Sequence, residues 1–94
     1  MPFPTQQPRA FTQISIEALS PNQNGVYGIY RSGAWVYIGR GDIRARLLSH
    51  LNGGNPRITR EKPTHYVTEV TQNDESREKA LILEVNPIAN QKVG

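Results

Sequence analysis

The chain contains no cysteine, which excludes a disulfide framework and a cysteine-based zinc site. It also has no apolar run of membrane-spanning length, and its start, MPFPTQQPRA, lacks the apolar stretch of a signal peptide. These absences predict a cytoplasmic protein. Only 7% of the 94 residues are aromatic and 36% are apolar, so we expect one small globular domain with a thin core.

The net charge of +3 at pH 7 is modest, but it is unevenly distributed along the chain. Between residues 31 and 62 there are seven basic side chains against two acidic ones, a balance of +5, so the other residues sum to −2. Six of the seven basic residues are arginine, whose planar guanidinium suits phosphate oxygens. A cluster of this kind favours nucleic acid as the partner.

Two short tyrosine motifs flank a predicted turn. They are Gly25-Val26-Tyr27 and Tyr37-Ile38-Gly39, and the apolar, β-branched and aromatic residues around them favour two strands. A single β-hairpin could therefore set two phenol groups side by side. Tyrosine is also an ordinary core residue of strands, so the hairpin alone does not establish a site.

The length of the hairpin loop decides on which faces the two phenols lie. With a two-residue loop, Tyr27 would pair with Ile38 and the phenols would lie on opposite faces of the ribbon. With a three-residue loop, 31–33, that closes with glycine in the left-handed conformation, Tyr27 would pair with Tyr37. Glycine at the third loop position favours the longer loop, so we predict that Tyr27 and Tyr37 face each other directly.

The segment before the hairpin carries less information. Residues 1–9 hold three prolines and two glutamines and are expected to form a disordered or loosely attached arm. Residues 11–19 could form a short helix or an extended segment. In either case Ile14, Ile16 and Leu19 would be available for the core.

A helix, a loop and a third strand are predicted after the hairpin. Asp42 can cap a helix that carries an apolar stripe and ends at residues 52–54, Asn-Gly-Gly. Residues 55–63 are typical of a polar, basic loop. Residues 64–70, THYVTEV, alternate in the manner of a strand.

A second helix is predicted after this strand, capped by Asp74 and stopped by Pro87. Its expected apolar positions are Ala80, Leu81, Leu83 and Val85. The resulting order of strand, strand, helix, strand and helix favours a small α+β domain with a sheet that is at least partly antiparallel.

Taken in order, the segments GVY, YIG, RARLLSHL and REKALILEVNPIAN resemble the GIY-YIG nuclease superfamily, which includes homing endonucleases, some restriction enzymes and the amino-terminal incision domain of bacterial excision-repair nucleases. The likeness covers roughly Gly25 to Asn90. It implies a three-stranded antiparallel sheet flanked by helices, with an amino-terminal arm and short element at 1–24 and a catalytic domain at 25–94. Residues 28–30 also spell GIY but lie too near the second motif, so we expect Tyr30 in the core.

The resemblance implies a divalent-metal-dependent endonuclease that hydrolyses phosphodiester bonds in DNA with one Mg²⁺ or Mn²⁺ ion. Tyr27 would act as the general base or orient the attacking water, with its pKa lowered from about 10 by the metal and nearby arginines. Tyr37 would hold the water and metal shell by hydrogen bonding. Arg46 would neutralise the transition-state phosphate. His50 would carry a proton or donate to phosphate, or it would be a buried structural histidine.

Two glutamates compete for the role of metal ligand. The family pattern E-x-x-L-I-x-x-x-x-P-x-x-N matches Glu78 without a gap, whereas a repair-nuclease pattern of the type A-L-x-L-E-x-N would select Glu84. The first pattern spans more positions and sets its glutamate on the apolar face of the helix, toward the sheet. We therefore assign the metal to Glu78.

Other residues are expected to support the site or to bind nucleic acid. Arg40 and Arg44 would contact the DNA backbone, while Arg57, Arg60 and Lys62 in the predicted basic loop would contribute to substrate selection. Gly25, Gly39 and Asn90 would be structural residues next to the site.

Two features leave alternatives open. The interval from Tyr37 to Arg46 is nine residues rather than the ten usual in the family, which makes the aim of the arginine uncertain. A catalytically weak nucleic-acid-binding module with the same fold is the alternative function. The chain also shows no second domain, so substrate selection would come from the basic loop 55–63, the amino-terminal arm, a homodimer formed through an edge strand at 64–70, or a partner protein.

Overall fold

The computed structural model describes residues 3–90, which form an α+β domain. Four strands make one antiparallel sheet in the order β1-β4-β2-β3. No helix in this part of the chain has the length and hydropathy needed to cross a membrane. The elements are β1 (Arg9–Ala10), α1 (Gln13–Glu17), β2 (Asn24–Arg31), β3 (Ala34–Asp42), α2 (Ile43–Leu51), α3 (Pro56–Arg60), β4 (His65–Val70), α4 (Asp74–Val85) and a 3-10 turn (Ile88–Asn90).

The expected three-stranded sheet is present as β2, β3 and β4, and the two-residue strand β1 adds a short fourth strand. Strand β1 pairs with the beginning of β4 through Tyr66 and His65. Further along β4, the side-chain amide of Gln6 accepts from Thr68 N at 3.0 Å and donates to Thr68 O at 2.8 Å. Much of the free edge of β4, through which we expected a homodimer to form, is therefore covered.

The predicted register of the hairpin is wrong. Its loop is the two-residue Ser32-Gly33, and a bulge beyond Ile29 shifts the register so that Tyr27 pairs with Gly39 and Ile29 pairs with Tyr37. The bulge inserts one residue into β3 and thereby returns the two phenols to the same side of the sheet. The tyrosines are diagonal neighbours and not a direct pair.

The first residues also differ from expectation, because they pack on the sheet. Phe3 is 3% exposed, and Gln6 is held to β4 as described above. Helix α1 buries Ile16 completely, whereas Ile14 is 85% exposed and takes no part in the core. The division into 1–24 and 25–94 stays a prediction, although Phe3 and Ile16 lie in the same two cores as the hairpin.

The sheet separates two apolar cores. On the side of α1, α2 and α3, the core contains both Tyr27 and Tyr66. On the side of α4, the core is formed by Phe3, Val26, Ile38, Val67 and Leu81, with Tyr30 and Trp35 packed against it. The prediction that Tyr30 is a core residue is consistent with this packing. Of the candidate site, Tyr27 and Tyr37 lie in or against the first core, whereas Glu78 is on α4, on the other side of the sheet.

The helices begin and end close to the predicted residues. Asp42 caps α2 by accepting from Ala45 N at 3.3 Å. The prediction of a basic loop at 55–63 is wrong in part, because this segment contains α3, whose N-cap is Asn55. The N-cap of α4 is Asn73 rather than Asp74, which is the first helical residue. Of the expected apolar positions of α4, Ala80 and Leu83 are exposed.

Candidate active site

Tyr27 is the buried centre of the candidate site. It lies on β2 opposite Gly39 of β3 and is 0% exposed. A Cβ on Gly39 would collide with the Tyr27 ring and hydroxyl. Glycine at this position therefore allows the phenol to lie across β3. The Tyr27 hydroxyl lies 2.7 Å from Nε2 of His50, on the last turn of α2.

His50 faces the two tyrosines from α2. Its ring centroid lies 5.7 Å from that of Tyr27 and 5.1 Å from that of Tyr37. Burial, and then the positive charge of Arg46, lower the pKa of His50 to about 4. The imidazole is therefore neutral at neutral pH and can accept the phenol proton through Nε2, while Nδ1 is buried without a hydrogen-bond partner among residues 3–90.

The two phenols are held in their neutral form. Burial, and then the neighbouring Tyr37, raise the pKa of Tyr27, although a hydrogen bond and the charge of Arg46 partly offset this. Burial, and then the carboxylate of Glu78, raise the pKa of Tyr37. The expectation that the surroundings lower the pKa of Tyr27 is therefore wrong for the protein side chains themselves, because burial outweighs the arginine.

Tyr37 lies between the buried tyrosine and the surface. Its ring centroid is 6.3 Å from that of Tyr27, with the ring planes inclined by 38°. It is partly exposed, unlike Tyr27, and the charges of Glu78 and Arg46 act on both phenols. A solvent molecule or a phosphate oxygen can therefore reach Tyr37 more readily than Tyr27.

A charged groove opens beside the tyrosines, where β3 leads into α2. It has a volume of about 430 Å³ and is lined by Arg40, Gly41, Arg46 and Glu78. Arg46 is exposed on α2, and its positive charge acts on Tyr27 by opposing the rise in the pKa of that phenol. Arg46 therefore lines the groove even though the loop after the second motif is one residue short, and its role stays a prediction.

The two candidate glutamates point to different places. Glu78 lies in the first half of α4, partly buried, with its Oε1 3.6 Å from Nε of Arg40. Burial raises the pKa of Glu78, and the charge of Arg40 partly opposes that rise. Glu84 is exposed, and its charge acts on Arg77. Only Glu78 shares the groove with Arg46.

Asn90 fixes the second tyrosine motif from behind. Its side-chain oxygen accepts from Ile38 N at 2.7 Å, and its side-chain nitrogen donates to Ile38 O at 3.0 Å. The amide thus replaces a neighbouring strand at the outer edge of β3, between Tyr37 and Gly39. Gly25 of β2 pairs with Val70 of β4, and a Cβ at position 25 would collide with the carbonyl oxygen of Glu69.

No protein-family model and no curated protein sequence matches the chain. Its structure is similar to the crystal structure of the GIY-YIG N-terminal endonuclease domain of UvrC from Thermotoga maritima, with a TM-score of 0.66 and 30% sequence identity. The likeness covers 78% of this chain and 89% of that one, which is bound to its catalytic divalent cation, magnesium. The chain belongs to the GIY-YIG endonuclease family.

The donor set of this GIY-YIG domain fits a magnesium-type ion. Within residues 3–90 no three histidine, aspartate or glutamate side chains form a metal cluster. Mg²⁺ keeps several water ligands and is often bound by one or two carboxylates together with substrate phosphate. The single groove carboxylate, Glu78, meets that requirement, whereas an ion that demands several protein ligands would not be satisfied here.

One residue beside the candidate site was not predicted from the sequence. The sequence indicates Asp74 only as a helix cap, but its Oδ2 lies 3.3 Å from Nη1 of Arg40, the same guanidinium that contacts Glu78. The available signal was the spacing, because residues four apart on a helix share a face. Two carboxylates therefore lie beside the groove instead of one.

The residues predicted to bind nucleic acid are distributed over three parts of the GIY-YIG fold. Arg40 lies near the end of β3, Arg44 lies on α2, and Arg57 and Arg60 lie on α3. Lys62 follows α3 and is exposed. The Nε of Arg44 is buried without a hydrogen-bond partner in the described part of the chain, so this side chain is only partly available to a ligand.

Proposed function

We propose that this GIY-YIG domain is a divalent-metal-dependent endonuclease that hydrolyses phosphodiester bonds in DNA. The observation that carries the proposal is the position of the Tyr27 hydroxyl, 2.7 Å from Nε2 of His50, on the same helix as Arg46, which lines the groove of Glu78. An ordinary core tyrosine needs one hydrogen-bond partner. This one has a proton acceptor and also senses the charge of a cation in the groove.

Tyr27 acts by orienting and deprotonating the attacking water. Because its surroundings favour the neutral phenol, the hydroxyl oxygen takes the water proton as its own proton moves to Nε2 of His50. The hydroxide oxygen forms a bond to phosphorus, the bond to the leaving oxygen breaks, and solvent protonates the leaving group. His50 is thus a proton carrier, which requires the neutral form that its lowered pKa provides.

Arg46 stabilises the negative charge that grows on the phosphate oxygens during attack. It lies exposed in the groove, and its charge acts on Tyr27, so the same side chain can contact the phosphate and favour the ionised phenol. Tyr37, at the border between core and groove, hydrogen-bonds the water next to the phosphate. Lysine would lack the planar fork that allows two simultaneous contacts.

Glu78 would hold the one Mg²⁺ or Mn²⁺ ion at the groove. When bound, that ion supplies positive charge to the non-bridging and leaving oxygens. Arg40, Arg44, Arg57, Arg60 and Lys62 bind the DNA backbone on either side of the scissile bond. The source of sequence or structure preference lies in these contacts or in a partner.

Nicking of supercoiled plasmid DNA in Mg²⁺ or Mn²⁺ tests the proposal. The wild type is expected to convert supercoiled plasmid to nicked circles, and EDTA is expected to abolish the reaction. Glu78→Gln is expected to lose at least about 100-fold in rate because the ion and its charge are lost. Glu84→Gln is the matched control, since it makes the same change on the same helix at a side chain that faces away.

Each outcome of this assay has a definite meaning. Equal losses in both glutamate variants would refute the assignment of the ion to Glu78. Salt-dependent retention of DNA without nicking in either metal would refute the endonuclease and support the nucleic-acid-binding module. Absence of DNA retention at low salt would refute both functions.

A further inference from the structure

Arg40 bridges two carboxylates of α4 at the mouth of the groove. Its Nη1 lies 3.3 Å from Oδ2 of Asp74, and its Nε lies 3.6 Å from Oε1 of Glu78. The two acids are four residues apart on the helix, so they project from the same side and one guanidinium can hold both. The residue proposed to hold the metal ion is therefore already engaged by a positive side chain.

This bridge also sets the charge of the groove. The positive charges of Arg40 and Arg46 are balanced by the negative charges of Asp74 and Glu78, so the four side chains sum to zero. Hydrogen bonds from the Asn24 amide, and then from Arg40, lower the pKa of Asp74 and keep it ionised. In this arrangement the groove has no excess positive charge to offer to a phosphate.

Arg40 is free to leave without disturbing the core. Its side chain is 44% exposed, while the Asp74 and Glu78 side chains are 16% and 23% exposed. The carboxylates are thus fixed against the protein and the guanidinium is at the solvent side of the pair. A cation that approaches the carboxylates from the groove meets Arg40 as its competitor, because like charges at this separation repel.

We propose that Arg40 is an exchangeable counter-ion: a divalent cation displaces it from Asp74 and Glu78, and the released guanidinium binds the DNA backbone. This inference rests on the proposed function, since it concerns the same ion and the same groove. After exchange, the ion neutralises the two carboxylates. The net charge of the groove is then +2, which comes from the two arginines. Ion binding therefore prepares the groove for phosphate, and by linkage DNA increases the affinity for the ion.

Mn²⁺ binding measures the competition directly. Free Mn²⁺ is quantified by electron paramagnetic resonance in titrations of the wild type, Arg40→Gln and Arg9→Gln. Arg40→Gln is expected to bind Mn²⁺ about 3- to 10-fold more tightly, because the ion no longer displaces two ion pairs. Arg9→Gln removes the same charge from the exposed strand β1 and is expected to stay within about 2-fold of the wild type. Circular dichroism establishes that both variants are folded.

A second measurement needs no substitution. In the wild type, the Nε–H resonance of Arg40 is followed by nuclear magnetic resonance during a Mg²⁺ titration. It is expected to shift with the same midpoint as Mg²⁺ binding, while the Arg9 resonance stays constant. A constant Arg40 resonance at saturating Mg²⁺ would overturn the exchange.

The Mn²⁺ titration separates this inference from the endonuclease proposal. An Arg40→Gln affinity equal to or weaker than that of the wild type, or no Mn²⁺ binding by either protein, overturns the exchange even if plasmid is nicked. Tighter binding by Arg40→Gln without nicking by the wild type supports the exchange and refutes the nuclease.

Discussion

The two ends of the β2–β3 hairpin contain similar residues but have different surroundings. At the turn end, Tyr30 packs against Trp35 with ring centroids 5.3 Å apart and stacks on His65 at 5.9 Å. At the open end, the Tyr27 hydroxyl lies 2.7 Å from Nε2 of His50, and the charge of Arg46 acts on the phenol. Only three positions along β2 separate the two tyrosines.

The two ends of the hairpin differ because different segments of the chain pack against them. A two-residue loop closes the turn end, and the amino-terminal segment covers it with Phe3, which stacks on Trp35 at 5.6 Å. At the open end, β3 leads directly into α2, and the start of α4 lies beside it. Polar side chains of β2, α2 and α4 therefore come together at the open end. The side chains that surround a tyrosine, and not its position in a strand, therefore decide whether its hydroxyl can take part in proton transfer.

The largest expected difference between the two ends is in the rate of DNA cleavage. Tyr27→Phe removes the hydroxyl that contacts His50, and we expect the single-turnover nicking rate to fall by about 10²- to 10⁴-fold. Tyr30→Phe removes a hydroxyl from the turn end and is expected to cleave at close to the wild-type rate. Similar losses in both variants would contradict the assignment of chemistry to the open end.

Two glycine substitutions compare the stability of the ends. Gly39→Ala drives a methyl group into the Tyr27 ring, so we expect a loss of about 3 kcal/mol in the free energy of unfolding. Gly33 has a φ of 78° but no heavy atom within 4 Å of an added Cβ, so Gly33→Ala is expected to cost only about 1 kcal/mol. Urea unfolding of the two variants measures the difference, and a reversed order would refute the crowding at Gly39.

The buried imidazole at the open end is expected to make stability depend on pH. The folded-state pKa of His50, about 4, lies below its unfolded value of about 6.5, so the unfolded chain binds more protons between these values. The stabilisation is complete above about pH 6.5 and is lost as pH falls toward 4, with about 2 kcal/mol gone by pH 5.

The free energies of unfolding of the wild type and His50→Gln, measured with urea at pH 7 and pH 5, test this predicted pH dependence. The variant lacks the titrating group, so the gap in unfolding free energy between the two proteins should narrow at pH 5. Carboxylates titrate alike in both proteins and cancel in the comparison. A gap that is constant with pH would mean that His50 is not held neutral.

The smallest expected effect concerns the charged contact at the turn end. Arg31 Nη2 lies 3.4 Å from Oε1 of Glu61, with side chains 47% and 24% exposed. We expect Arg31→Gln to reduce the free energy of unfolding by less than about 0.5 kcal/mol, and the difference to disappear in 1 M salt, since exposed pairs are weak and screened. A loss above about 1 kcal/mol in urea unfolding would show that this pair has a structural role.

The sequence predicted most elements because their signals are local. Asp42 before an apolar stripe predicted the start of α2, and Pro87 predicted the end of α4, since capping and helix termination depend on neighbouring residues. The short helix α3 was missed because residues 55–63 are polar and contain prolines. Its N-cap, Asn55, followed by Pro56, was the available signal.

The errors concern relations between distant segments. The predicted register is wrong because it was derived from the loop residues alone, whereas the register shift lies within the strands, between Ile29 and Tyr30. The amino-terminal arm was misjudged because its attachment depends on Gln6 and Phe3 meeting β4 and Trp35, which are far away in sequence. Asp74 was missed as a site residue because only the fold brings Arg40 to it.

The sequence by itself determined which functional groups this protein has and their order along the chain: two tyrosines on a hairpin, an arginine and a histidine one turn apart on a helix, and a glutamate on the last helix. The tertiary structure decided which of these groups meet and in what protonation state. Residue type and local spacing fix the chemistry that a side chain can supply, but its distance from another element and its burial arise only when the sheet and helices pack.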